Sequence, residues 1–217
     1  MAMYVMDKII ENLNKDVIKL GNKIIQVLEK AKYALINLDV CKASEIIKND
    51  KKIDLFEMNV HEKGMNIIIR EQPVAGDLRF IISVFKIVSE MERIADHGDK
   101  IAKLTKKLVK HNVKHLPKEI NDLFNLTLEI VRNVLKAYIE GDVNLAKKIY
   151  IEDDILDQSY KNSVIWIKES IIKNPNFVDK YIDYIFITKY FERIGDRANA
   201  IAKQIVYKET GSFFNLE

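Results

Sequence analysis

Glycine and proline are scarce, seven and three among 217 residues, which excludes a fold built from many tight turns and short strands. Cysteine occurs once. Cys41 can form no disulfide within the chain, which fits a reducing cytoplasm, and it is expected as a small buried residue rather than a nucleophile. No apolar run approaches the ~20 residues of a membrane span, and the N-terminal stretch gathers charge too early for a secretory signal. Net charge is only +3. Without basic residues gathered on one face, that excess makes no case for nucleic acid as a partner. Glycine-rich phosphate loops, a nucleophile elbow and Cys/His zinc spacing are all missing. What the chain does have is 48% apolar residues and much Lys, Glu, Ile and Leu, the composition of a soluble, all-helical cytoplasmic protein.

The chain repeats itself. Ile87–Leu104 returns as Ile187–Gln204, sharing Ile87/Ile187, Glu92/Glu192, Arg93/Arg193, Ile94/Ile194, Asp96/Asp196, Ile101/Ile201, Ala102/Ala202 and Lys103/Lys203 without a gap. An offset fixed over such a window marks a structural repeat. It extends upstream: Asp39, Val40, Ala43, Ile46, Asp50 and Asp54 match Asp142, Val143, Ala146, Ile149, Asp153 and Asp157.

Apolar residues at helical spacing from Ile9 to Leu35 predict a first long helix, Tyr4 to Asn37. Asp39 is placed to cap a second, running to about Gln72 and ended by Pro73. Gly76-Asp77 predicts a turn and cap for a third, reaching about His111. Pro117 separates the halves. The second half follows with helices over about Lys118–Glu140, Val143–Lys173 and Phe177–Lys208, Gly141-Asp142 ending one and capping the next, and Asn176 placed to cap the last. The predicted architecture is all-α: a tandem repeat of two antiparallel three-helix bundles, six long helices in all, with units at residues 1–114 and 115–217.

Each half carries two acidic i,i+4 pairs: Asp50/Asp54 with Glu92/Asp96, and Asp153/Asp157 with Glu192/Asp196. Residues equidistant from a hairpin turn lie level, because both helices rise about 1.5 Å per residue. Asp54 with Glu92, and Asp50 with Asp96, are centred on Pro73. Asp157 with Glu192, and Asp153 with Asp196, are centred on the Asn174-Pro175 step. Four carboxylates are therefore expected to converge in each unit, where they repel unless protonated or neutralised by a multivalent cation. All-oxygen ligation suits Mg²⁺, Mn²⁺ or Ca²⁺. Bridging carboxylates also suit iron, and zinc stays open. The competing expectation is a solvated acidic face.

Glu57 and His61 continue the first stripe and Asp99 continues the Glu92/Asp96 stripe, whereas their counterparts are Tyr160, Val164 and Asn199. Extra ligation is thus expected only in the first half. Arg93 and Arg193 are placed either to balance the acids from behind or to form surface ion pairs. The basic run from Lys103 to Lys118 reads as a solvated helix end or a docking patch. His111 and His115 share a helix face but lack a third ligand. Trp166 is expected in the core or an interface.

The tandem three-helix plan, the ERIAD and ERIGD segments and the PVAGDLR turn (Pro73–Arg79) resemble the PhoU family of phosphate-uptake regulators, over nearly the whole chain. The resemblance implies that the matching positions Asp50, Asp54, Glu92, Asp96, Asp153, Asp157, Glu192 and Asp196 hold multinuclear clusters of iron or zinc. It implies a non-enzymatic, dimeric regulator that damps the phosphate ABC transporter through its ATPase subunit and links it to a sensor histidine kinase, reaching the membrane only through partners. Ala95 stands where the motif has glycine, which leaves the carboxylates intact. Two other classes compete. A carboxylate-bridged oxidase or metal-storage bundle needs Glu-x-x-His on two helices, and no histidine here has Glu three residues before it. A helical adaptor would use the acids for a basic partner and bind no metal.

Overall fold

The protein's structure, a computed structural model, describes residues 2–212, with side chains from residue 6 onward. The outer limits of the two expected units, residues 1 and 217, lie outside the described residues. Helices are α1 (Ala2–Asn37), α2 (Val40–Asn49), α3 (Lys51–Glu71), α4 (Ala75–Lys110), α5 (Lys118–Glu140), α6 (Val143–Lys173) and α7 (Val178–Thr210), with a 3₁₀ turn at Pro175–Phe177. No strand occurs among the described residues.

The predicted second helix is one arm in two pieces. It breaks at Asp50, where Asn49 turns its side-chain amide onto the Glu45 carbonyl at 2.7 Å and Ile53 N–H donates to Asp50 O at 2.8 Å in a 3₁₀-type bond. Such local side-chain bonds compete with the helical ladder and bend it. Asp50 keeps helical dihedrals, so α3 continues roughly along α2.

Caps follow the sequence in two places and depart from it in two. Asp39 accepts from Lys42 N–H and Asp142 from Leu145 N–H, each at 2.9 Å, and Gly141 takes the left-handed conformation at φ 62°, the C-terminal stop that glycine tolerates best. Gly76-Asp77, by contrast, lies inside α4. The turn is made by left-handed Gln72 and Ala75, and the cap position is Val74, whose carbonyl accepts from Asp77 N–H. Asn176 sits in the 3₁₀ turn, not at a cap, because Phe177 N–H already bonds Asn174 O.

α1, α2–α3 and α4 pack into one bundle and α5, α6 and α7 into a second; α4 meets α7 and α1 meets α5 across the junction. α4 and α7 are antiparallel. Arg79 near the start of α4 donates to Lys208 O near the end of α7, and His111 after α4 pairs with Asp183 early in α7 at 3.3 Å. Being buried on several sides explains their near-continuous apolar content, from Ile81 to Leu108 and from Tyr181 to Val206. α1 buries a single stripe, Leu13, Val17, Leu20, Ile24, Leu28, Ala31 and Leu35, the pattern of an amphipathic outer helix. Each fully buried Leu or Ile contributes about 1.5–3 kcal/mol. Trp166 packs against Tyr181 and Tyr184. Cys41 is exposed, not buried as expected: the buried positions of α2 are Ala43 and Ile46, and Cys41 faces away from them.

Candidate functional site

The two acid-bearing hairpins, α2–α3 with α4 and α6 with α7, bring their carboxylates within electrostatic reach of one another. Seven of the eight are part-buried and Asp196 is exposed. In the first nest, burial pushes the Asp50 carboxyl above the usual range, and Asp99, Asp54 and Asp96 push it further, against Lys103. Burial likewise raises Glu92, helped by Asp96, Asp54, Glu57 and Asp50. Asp50, Asp54 and Glu92 engage no described side chain in a hydrogen bond or ion pair. Asp96 takes Lys100 at 2.7 Å.

Asp99 is the most enclosed acid, 1% exposed. Lys103 pairs with its Oδ2, whereas Oδ1 has no hydrogen-bond partner. A buried carboxylate oxygen without a donor costs on the order of 1–3 kcal/mol. Glu57 adds its charge to Glu92 but has partners of its own. It accepts from Ser89 Oγ at 2.8 Å and pairs with His61 Nε2 at 2.9 Å, and that ring stacks on Phe85. The structure thus places Asp99 deep beside Asp50, and assigns Glu57 and His61 to a side network with Ser89.

The second nest is built differently. Burial, then Asp157 and Asp196, lift Asp153 to about 6, opposed by a hydrogen bond from Asn199. That bond, Asn199 Nδ2 to Asp153 Oδ2, is 2.6 Å. Asp196, though exposed as a residue, is raised by partial desolvation of its carboxyl, then by Glu192 and Asp157, against Lys189 and Arg197. Lys189 donates to Glu192 Oε1 at 2.5 Å and lies over the Tyr160 ring, while Glu192 Oε2 is buried without a partner. Gly195 lets α6 approach: a β-carbon there would meet Leu156 at 2.2 Å and Asp153 Oδ1 at 3.2 Å.

Arg93 forms a surface ion pair with Glu90 at 3.7 Å. Arg193 bears on His97, which its charge helps keep neutral. His111 is spent on Asp183. Sequence reasoning missed Lys100, Lys103 and Lys189 as counter-charges, although each lies three or four residues from the acid it serves, the spacing at which helical ion pairs form.

Among the described residues no three His, Cys, Asp or Glu side chains stand ready around one point to hold a metal ion. The donor chemistry nevertheless fits one. All the acids offer oxygen, Asp99 Oδ1 and Glu192 Oε2 are buried without donors, and four carboxyls hold protons more tightly than usual. These are acids short of positive charge.

The sequence profile of the PhoU domain matches residues 17–105 and again 120–205. The phosphate-specific transport system accessory protein PhoU of Serratia marcescens is 31% identical over 198 residues, covering 91% of this chain and 82% of that protein. The PhoU homolog 1 of Thermotoga maritima is 32% identical over 200 residues, 92% of this chain and 86% of its own. The crystal structure of PhoU from Pseudomonas aeruginosa superposes with a TM-score of 0.90 at 27% identity, over 95% of this chain and 99% of that one.

Proposed function

The chain belongs to the PhoU family, and from that premise we propose that it is an accessory regulator of phosphate-specific transport. It acts in the cytoplasm as a homodimer, damps the phosphate ABC transporter through the ATPase subunit, and links transport to a sensor histidine kinase. Its matched relatives are accessory and regulatory proteins, and it is not an enzyme. The observation that carries this reading is the double family match, each half enclosing one Glu-x-x-x-Asp pair, Glu92/Asp96 and Glu192/Asp196.

No helix among the described residues is long and apolar enough to cross a membrane, so the transporter is reached by docking. Leu55, Met58, Met65 and Ile69 expose their side chains along α3, a stripe suited to an apolar partner face. The regulatory reading is tested by deleting the gene. The expected result is deregulated phosphate uptake and altered expression of phosphate-responsive genes; parental behaviour of both overturns it. Co-purification of the ATPase subunit at high and low phosphate tests the docking step.

The nests are read as metal sites, with Asp50, Asp54, Glu92 and Asp96 holding ions in the first unit and Asp153, Asp157, Glu192 and Asp196 in the second. Iron or zinc is the family's expectation and Mn²⁺ or Mg²⁺ suits the oxygen donors. A bound cation would supply the positive charge these acids lack. A second reading, a metal-free adaptor, draws on one observation: Lys100, Lys103 and Lys189 already neutralise part of each nest. Elemental analysis of protein purified without chelator separates the two. Stoichiometric metal supports the first and its absence supports the second.

A further inference from the structure

The two nests are repeats in sequence but not in what occupies their acids. Where α4 has Ser89, α7 has Lys189; where α4 has Asp99, α7 has Asn199. Ser89 turns away from Glu92 and donates to Glu57, whereas Lys189 places its ammonium on Glu192. Asp99 is a buried carboxylate within electrostatic reach of Asp50, its Oδ2 paired with Lys103 and its Oδ1 undonated. Asn199 instead gives Asp153 an amide hydrogen at 2.6 Å.

The consequence is a difference in available donors. In the first nest Asp50, Asp54 and Glu92 are free of side-chain partners, while Asp96 and Asp99 are paired with lysines. In the second, Asp153 is committed to an amide and Glu192 Oε1 to an ammonium, which leaves Asp157, Asp196 and the undonated Glu192 Oε2. Closing around an ion asks of the first nest side-chain rotations and, for Asp96 and Asp99, release of Lys100 and Lys103. It asks of the second nest release of Lys189, as exposed as Lys100, from the more enclosed Glu192, and loss of the Asn199 hydrogen bond to Asp153. Hard divalent ions require several oxygens and gain affinity with the number of charged ones.

We infer that the two nests are unequal cation sites: the α3–α4 nest takes a divalent cation first, and the α6–α7 nest is weakened by Lys189 and Asn199. The inference rests on the metal reading above and assigns to two repeat positions, 89/189 and 99/199, the control of which unit is loaded. The first unit is then the metal-retaining one, and the second loads only when the ion is abundant or a partner draws Lys189 away.

Equilibrium dialysis of the full chain with Mn²⁺, and separately with Zn²⁺, tests it, with bound metal counted by elemental analysis and folding checked by circular dichroism. Two affinity classes are expected, separated by about tenfold or more. The tight class should vanish in E92Q/D96N and persist in E192Q/D196N. S89K/D99N should weaken the first nest toward the second, and K189S/N199D should tighten the second by about tenfold. If the added buried carboxylate keeps K189S/N199D from folding, S89K/D99N, which removes a buried carboxylate and adds a counter-charge, still decides. Equal affinity at both nests, or a tight class that survives E92Q/D96N, overturns the asymmetry alone. No binding of either ion overturns the asymmetry and the metal reading together.

Discussion

Arg197 of α7 donates to Glu90 of α4 at 3.2 Å, and at the repeat-related pair of positions His97 stacks on Tyr190 with ring centroids 5.5 Å apart. The antiparallel crossing of α4 and α7 carries a pseudo-twofold relation, so each contact has a mate. Here the mates differ in kind: an ion pair on one side of the axis and a neutral ring stack on the other. Together they fix the sliding register of the two central helices, and through it the position of both nests.

The ion pair is part-buried at both ends, the side chains being 32% and 19% exposed. Arg197→Ala should destabilise the protein by about 1–2 kcal/mol in urea denaturation. Glu90→Gln should cost less, because the carboxamide still accepts. A double-mutant cycle is the decisive measurement; a coupling energy indistinguishable from zero would mean that the pair contributes nothing to register.

Close approach of α6 to α7 depends on Gly195, since a β-carbon there overlaps the fully buried Leu156. Gly195→Ala should cost about 1–3 kcal/mol by overpacking, despite alanine's better helix propensity. The first unit already has Ala95 at this position, opposite Ile53 rather than leucine. Shortening the obstructing side chain should therefore relieve the strain: the penalty of Gly195→Ala is expected to shrink in a Leu156→Val background. An equal penalty in both backgrounds would locate the clash elsewhere.

The hairpin register was legible in the sequence because helical rise is constant, so equidistance from Pro73 or from Asn174-Pro175 translates directly into height. Helix existence was legible from apolar spacing, and the Asp39 and Asp142 caps from their side chains. Turn detail was not. Left-handed Gln72 and Ala75 carry a conformation that the sequence reading had given to Gly76, and the Asp50 break arises from an asparagine bond that no periodicity signals. The nests were legible as a gathering of acids. Their lysines were passed over because a basic residue one turn from an acid normally reads as surface decoration, and only the enclosure of Glu192 separates the Lys189 pair from the many that are. Asp99 was visible as a continuation of the stripe, but its depth follows from α4 being covered on several sides, a tertiary fact.

Asp153 holds its proton to about pH 6 in the folded chain, against an ordinary 3.8. A carboxyl whose folded pKa is raised favours the protonated fold. Its penalty is absent below about pH 3.8, grows between 3.8 and 6, and is complete above. Asp153→Asn keeps an acceptor for Asn199 and removes the charge. In chelator-treated protein it should stabilise at pH 7 by about 1 kcal/mol once solvent screening is allowed for, and the gain should disappear near pH 4. A gain of equal size at both pH values would assign the effect to packing rather than charge.

His97 runs the other way. It is 6% exposed, and burial, with Lys100, Arg193 and Arg197 around it, depresses its pKa to about 4 against an ordinary 6.5, with Asp96 opposing. Its Nδ1 has no partner, so the ring sits neutral against Tyr190. The unfolded chain takes up this proton near 6.5 and the folded chain only near 4. Stability is therefore unaffected above 6.5, falls as pH drops through that window, and reaches its full loss below 4. Between pH 6.5 and 5 the expected loss is about 1–2 kcal/mol, opposite in sign to the Asp153 contribution, so wild-type stability should vary little there while the single variants diverge. His97→Phe keeps the stack and discards the proton site. It should leave stability near wild type at pH 7 and exceed it at pH 5 in urea melts. An NMR titration that placed the His97 ring near 6.5 would show that the α4–α7 interface admits the charged ring, and would remove this source of acid sensitivity.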